Sequence, residues 1–133
     1  MSYTKVNLKE DVQDQAPAFG LAPNAEARFA TDDLSLEQGG VGYERFEPGF
    51  RLPFGHTHKT QEEVYVVLNG SGRVKIDDEV LEFRQWDVIR VGPGIWRNFE
   101  AGPDGAELLI FGAPHVPQPR QEEAEMQPGW WAD

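Results

Sequence analysis

Two of the three histidines in this 133-residue chain lie two positions apart, at His56 and His58, and a carboxylate follows at Glu63. Side chains along a β-strand alternate between its two faces, so residues two apart point the same way. Two imidazoles and a carboxylate on paired strands would therefore make one face that can hold a divalent ion. Two histidines and a carboxylate with open positions suit non-haem Fe(II), and Mn or Zn also accept these ligands. The pattern predicts a metal site made by His56, His58 and Glu63.

The glycines around these three residues add a second signal. The order of the motif is Gly49, His56, His58, Glu63 and Gly70. It resembles the first conserved motif of the cupin superfamily, although the gap between Gly49 and His56 is one residue longer than the usual pattern. The resemblance covers roughly residues 40–112. It implies a small single-domain cupin that binds one divalent transition metal (Fe, Mn, Zn or Ni) and forms a homodimer.

Arg97 departs from the second cupin motif. When that motif is aligned on Gly94, Arg97 occupies the place of the family's last metal-binding histidine. A guanidinium is always charged and only donates hydrogen bonds, so it cannot ligate a cation and would repel one. Two interpretations stay open: Arg97 clamps a carboxylate or phosphate group of a substrate, or it forms a structural ion pair with Glu63.

Aromatic residues near the predicted ligands are candidates for the walls of a pocket. Tyr65 and Phe54 flank the metal residues, and strand alternation places Phe99 on the same face as Arg97. We therefore predict that Arg97, Tyr65, Phe54 and Phe99 contact a substrate. His115 follows the last predicted strand and is interpreted as a surface histidine, with a replacement fourth ligand as the alternative.

Turn residues divide the chain into short segments rich in β-branched and aromatic residues, which predicts an all-β sandwich or barrel. The resemblance makes this a jelly-roll barrel of antiparallel sheets. Asn69-Gly70 predicts a hairpin between the strand that starts at Glu63 and the strand that starts at Gly72. Further strands are predicted at residues 3–6 and 25–30.

The predicted organisation has three parts: N-terminal strands and a linker packed on the barrel (1–38), the barrel (39–113), and an acidic tail (114–133). The acidic run at residues 121–125 is interpreted as a solvated linker. Trp130 and Trp131 are expected to dock on the protein, because two exposed indoles are costly in water.

Charge and composition exclude several classes of function. The net charge of −11 argues against nucleic acid and anionic membranes as partners. Between Pro48 and Glu100 the net charge is only −1, so the acidity lies in the flanks and says little about the pocket. Cysteine is absent, and no apolar stretch has the length of a membrane span. A cytoplasmic location is expected.

Two classes of function remain open at this point. The first is a metal-dependent enzyme, of dioxygenase or isomerase type, that acts on a small organic or sugar-like substrate. The second is a metal-free or non-catalytic barrel that binds a small molecule and uses Arg97 to hold an anionic ligand. The sequence does not select the substrate, the reaction or the metal, because one fold hosts many activities.

Overall fold

A computed structural model describes residues 2–116 and 122–133 of the chain. Its strands are β1 (Ala25–Phe29), β2 (Gly40–Phe46), β3 (Phe54–His58), β4 (Glu62–Ile76), β5 (Glu79–Arg84), β6 (Val88–Val91), β7 (Arg97–Ala113) and β8 (Ala124–Pro128). A single-turn 3-10 helix, Pro17–Phe19, precedes β1. Every strand pairing is antiparallel, and the sheet curls into a barrel, which confirms the predicted all-β jelly roll. None of the helices in the described part of the chain is long and apolar enough to cross a bilayer.

Two long strands, β4 and β7, pass through both halves of the barrel. The first half of β4 pairs with the last part of β7 and with β6, while β2 and then β1 continue beyond β7. The second half of β4 pairs with the first part of β7 and with β5, while β3 and then β8 continue on that side. The one continuous sheet thus forms two layers, called here the two sheets of the barrel, which are joined by the bends of β4 and β7.

The hairpin predicted at Asn69-Gly70 is wrong. The chain does not reverse there, because residues on both sides of Gly70 pair with β7, with register shifts next to Asn69 and next to Gly72. Gly70 has φ +79°, and a Cβ at this position would lie 2.0 Å from the Gly105 carbonyl oxygen. Here a glycine with left-handed backbone makes a bulge that bends one strand from sheet to sheet. The turn signal at residues 102–105 likewise lies inside β7.

The hydrophobic core fills the space between the two sheets. Strand alternation predicts a common inward face for Glu63, Tyr65 and Val67, and both Tyr65 and Val67 are buried in the core. Phe46, Phe99 and other buried residues from β2, β4 and β7 complete it. Glu63 therefore lies at one end of an apolar interior.

The two ends of the chain add one strand to each sheet. Residues 25–29 form β1 as predicted, whereas residues 3–6 form no strand. At the other end, the interpretation of the acidic run as a solvated linker is wrong at Glu123, which is buried, and at Ala124 and Glu125, which lie in β8 and pair with β3. Gln121 lies outside the described residues. The physical reason is that β3 is joined to β7 by one bridge only, so its backbone needs a partner on the other side.

The terminal tryptophans pack on the barrel, which confirms their predicted docking. Trp131 is 5% exposed, and the Arg51 guanidinium lies 4.0 Å from the centre of its ring. Trp130 covers Gly55 so closely that a Cβ there would lie 2.7 Å from the indole. The end of the chain therefore holds the strand that carries both candidate histidine ligands.

Candidate metal centre

Two neighbouring elements bring the predicted ligands together. β3 carries His56 and His58 on its inward face, and Glu63 is the second residue of β4. Their potential ligand atoms all lie within 4.8 Å of one another. Within residues 2–116 and 122–133, this is the one group of histidine and carboxylate side chains with such a geometry.

The two imidazoles face the Glu63 carboxylate from different sides. His56 Nε2 lies 3.6 Å from Oε1, and His58 Nε2 lies 3.4 Å from Oε2. The two rings meet edge to face, with 5.2 Å between their centres. Two nitrogens and a carboxylate thus converge on one point, which is the donor set that Fe, Mn and Zn accept.

The electrostatics favour the forms of these residues that bind metal. Burial alone would raise the pKa of Glu63, but the interactions with His56 and His58 outweigh burial and hold that pKa well below its usual range. Burial lowers the pKa of His56, and the charge of Arg97 lowers it further against the opposing effect of Glu63. A carboxylate and a neutral imidazole are the forms that coordinate a cation.

Arg97 lies directly across the strand pair from His56 and has no exposed surface. Its Nη2 is 3.7 Å from Glu63 Oε1, and its Nη1 donates a 3.4 Å hydrogen bond to the His56 carbonyl oxygen. Nε and Nη2 have no hydrogen-bond partner among the described residues. This geometry favours the ion pair with Glu63, because an anion from solvent would reach the guanidinium only after neighbouring side chains moved. The role of Arg97 as a substrate clamp stays a prediction.

The aromatic candidates lie beneath the site rather than around its opening. Tyr65 and Phe99 are buried in the core with 4.6 Å between their ring centres, and Phe54 is partly buried against the same core. The Tyr65 hydroxyl donates a 2.5 Å hydrogen bond to Glu63 Oε1. Tyr65 therefore orients the carboxylate, and its predicted contact with a substrate remains untested, as do those of Phe54 and Phe99. His115 is not part of the cluster.

Two carboxylates near the site were missed in the sequence. Glu123 is 5% exposed, and its Oε2 lies 3.3 Å from His58 Nδ1. Nothing in the acidic run distinguishes it from its neighbours, because its position depends on the pairing of β8 with β3. Glu44 shares the inward face of β2 with Phe46, so strand alternation could have identified Glu44 as an inward-facing carboxylate. Burial, and then the charge of Glu63, raise the pKa of Glu44 to about 8.

Residues 42–111, more than half of the chain, match the cupin domain family, and the chain therefore belongs to that family. A cupin protein from Bacteroides fragilis is similar in structure, with a TM-score of 0.70, 25% identity and coverage of 89% of both chains. KdgF from Halomonas sp. has a TM-score of 0.67 and 14% identity over 87% of this chain and 96% of that one.

The oxalate decarboxylase from Bacillus subtilis is also similar, with a TM-score of 0.76 and 20% identity. The match covers 94% of this chain but 32% of the decarboxylase chain, so this protein corresponds to about one third of that enzyme. Both this likeness and the one to KdgF show the fold alone. A comparison with curated proteins finds no match.

Proposed function

We propose that this cupin binds one divalent transition metal through His56, His58 and Glu63 and acts on a small organic or sugar-like substrate. The observation that carries the proposal is the convergence of the three ligand atoms within 4.8 Å at the end of the barrel core. The ion would be Fe, Mn, Zn or Ni, and it would supply a Lewis acid with open positions for substrate, water or O₂. The reaction is of the dioxygenase or isomerase type.

The protein's own residues prepare the ligands for this role. Tyr65 fixes one oxygen of Glu63 through its hydroxyl, and Arg97 places a positive charge beside the same oxygen. The side chain of His56 is about twice as exposed as those of His58 and Glu63, at 25% against 12% and 13%. We infer that a substrate approaches the site from the His56 side.

A metal titration tests the proposal. Protein stripped with a chelator should take up about one ion per chain when it is titrated with Fe(II), Mn(II), Zn(II) or Ni(II) and analysed for metal. His56→Ala should lower the affinity strongly, whereas the matched control His115→Ala should not, because His115 is outside the cluster. Failure of the wild-type protein to retain any of the four metals would rule the proposal out.

The alternative function is a metal-free or non-catalytic barrel in which Arg97 holds an anionic ligand. The buried Nε and Nη2 atoms have no hydrogen-bond partner in the described residues, so a small anion admitted by movement of the neighbouring side chains would satisfy them. Buried polar atoms without partners are rare and often mark a ligand or water site. Binding of oxalate or inorganic phosphate to metal-free wild-type protein, lost in Arg97→Met, would support it.

We also propose a homodimer in the cytoplasm, formed through the outward face of the first half of β4. This face carries Val64 and Val66, which pair with Phe111 and Val88 on the neighbouring strands, together with the exposed Arg90–Glu62 ion pair. Val88 is 64% exposed and Phe111 is 43% exposed. Exposed apolar patches on a sheet mark interaction surfaces, and a second copy can cover this one symmetrically.

A further inference from the structure

The segment after the barrel brings a carboxylate to the rear of the candidate metal centre. β8 pairs with β3 in a register that places Ala124 opposite His58 and Met126 opposite His56. The residue just before β8 is Glu123, and its backbone carbonyl accepts a 2.7 Å hydrogen bond from the amide of Lys59. The side chain of Glu123 is thereby held against the strand that carries both histidines.

The imidazole of His58 lies between two carboxylates. Its Nε2 lies 3.4 Å from Glu63 and its Nδ1 lies 3.3 Å from Glu123 Oε2. Each ring nitrogen therefore faces its own carboxylate, one inside the barrel and one on the C-terminal segment, while the buried Nδ1 has no hydrogen bond of ordinary geometry among the described residues. Histidines that bind metal through one ring nitrogen usually donate the other N–H to a carboxylate or carbonyl, which fixes the tautomer and the ring orientation.

We propose that Glu123 is a positioning residue of the metal centre: its carboxylate holds the Nδ1–H of His58, so that Nε2 presents its lone pair to the ion. The proposal rests on the proposed metal site at His56, His58 and Glu63. The C-terminal segment thereby gains a role at the metal centre, because the docking of β8 affects the affinity for metal.

The Glu123 carboxylate is itself fixed in place. Its Oε1 accepts a 2.6 Å hydrogen bond from the Thr60 hydroxyl, and the Thr60 amide lies 3.1 Å from the same oxygen. Its Oε2 accepts a 3.0 Å hydrogen bond from the Gln61 amide. Burial alone would raise the pKa of Glu123, but the hydrogen bonds from Thr60 and Gln61 outweigh burial and lower it. A rigid, ionised carboxylate is the kind of partner that orients an imidazole.

The test compares the affinity for Zn(II), measured by competition with a chromophoric chelator, in three variants. Glu123→Gln removes the charge behind His58 and should weaken binding by about 10-fold to 100-fold. Glu125→Gln removes an equivalent charge from an exposed position on β8 and should leave the affinity unchanged. Thr60→Val removes one hydrogen bond to Glu123 but leaves the Thr60 and Gln61 amides that also hold its carboxylate, so its affinity should stay within about 2-fold of wild type.

A spectroscopic measurement on the unmodified protein does not depend on the folding of any variant. In the proton NMR spectrum of the Co(II)-loaded wild type, the Nδ1–H of His58 should give a shifted resonance that exchanges slowly with water. In Glu123→Gln the same resonance should exchange faster or disappear. A role limited to ordering the loop would leave this signal unchanged.

The outcomes separate the two proposals. If wild-type protein binds no metal, both the proposed function and the role of Glu123 fall. If wild type binds metal but Glu123→Gln binds it equally well, or Thr60→Val loses as much affinity as Glu123→Gln, only the role of Glu123 is overturned. A rapidly exchanging His58 N–H in the Co(II)-loaded wild type would also overturn it.

Discussion

At the scale of single residues, the Glu63 carboxylate is the group on which the site depends. His56, His58 and Arg97 lie within 4 Å of its oxygens, and the Tyr65 hydroxyl donates a hydrogen bond to it. Without an ion, these donors and the positive charge of Arg97 compensate a carboxylate that would otherwise be costly to bury. A bound cation would replace part of that compensation, and the fixed positive charge of Arg97 would then repel the cation.

The first prediction concerns the repulsion between Arg97 and a bound cation. Replacing Arg97 by histidine removes the repulsion and restores a ligand of the type that cupins have at this position. Arg97→His should bind metal about 10-fold more tightly or better, if about 1.4 kcal/mol of repulsion is relieved. Titration of both proteins with Zn(II) measures the change.

The matched control for this prediction is Arg97→Met, which removes the charge but adds no ligand. Its affinity should lie between those of wild type and Arg97→His. Equal affinities for wild type and Arg97→His would show that the charge of Arg97 does not act on the metal and that the alignment of the second motif is wrong.

The second prediction concerns Glu44, whose pKa is raised to about 8. A carboxyl with a raised folded-state pKa prefers to stay protonated, so the metal-free protein should lose stability as pH rises from about 4.5 to about 8. Glu44→Gln removes this loss. The variant should match wild type near pH 4.5 and exceed it at pH 8.5 by about 2 kcal/mol in unfolding free energy, since partial exposure to water screens the full effect.

Urea denaturation of the chelator-treated proteins at both pH values measures this difference. Glu10→Gln, an exposed position, serves as the control and should show no trend with pH. A Glu44→Gln variant that is less stable than wild type at pH 8.5 would show that the ionised carboxylate has a partner in the fold and is not destabilised by burial.

At the scale of elements, alternation along a single strand predicts which side chains share a face, because this depends only on residues close in sequence. The alternation of β3 and β4 placed His56, His58 and Glu63 on facing surfaces, and the structure brings them together. The hairpin predicted at Asn69-Gly70 is wrong because the same dipeptide suits both a hairpin turn and a bulge. Only the pairing of β4 with β7 decides between them. Glu123 was missed because its environment comes from the pairing of distant segments.

The third prediction tests whether the docked end of the chain stabilises β3. Trp131 is buried against Arg51, whereas Trp86 is 68% exposed. Trp131→Ala should therefore cost about 3 kcal/mol of unfolding free energy, and Trp86→Ala should cost less than about 1 kcal/mol. Thermal and urea denaturation measure both. Equal stability of the two variants would mean that the terminal segment contributes nothing to the fold.

At the scale of the whole molecule, the acidic charge and the apolar sheet face have different consequences. The net charge of −11 lies mainly outside residues 48–100 and keeps the surface acidic. The outward face of β4, β6 and β7 instead carries exposed valine and phenylalanine side chains. An apolar face on an otherwise charged protein favours association through that face.

The fourth prediction is that the protein is a dimer in solution and that this face forms its interface. Val88→Glu combined with Phe111→Glu should yield a folded monomer, because both side chains are exposed in the single chain. Val80→Glu, at a similarly exposed position on β5, should leave the dimer intact. Light scattering after gel filtration measures the mass. A wild-type monomer, or a double variant that stays dimeric, would contradict the assignment.

We expect one end of the barrel to hold a metal ion on His56, His58 and Glu63. Anomalous diffraction from crystals of the Zn(II)- or Mn(II)-loaded protein tests it most directly. We expect one anomalous peak per chain, about 2.0–2.2 Å from a nitrogen of each imidazole and from a Glu63 oxygen. A loaded crystal with no peak there, or with its only peaks at other side chains, would contradict it.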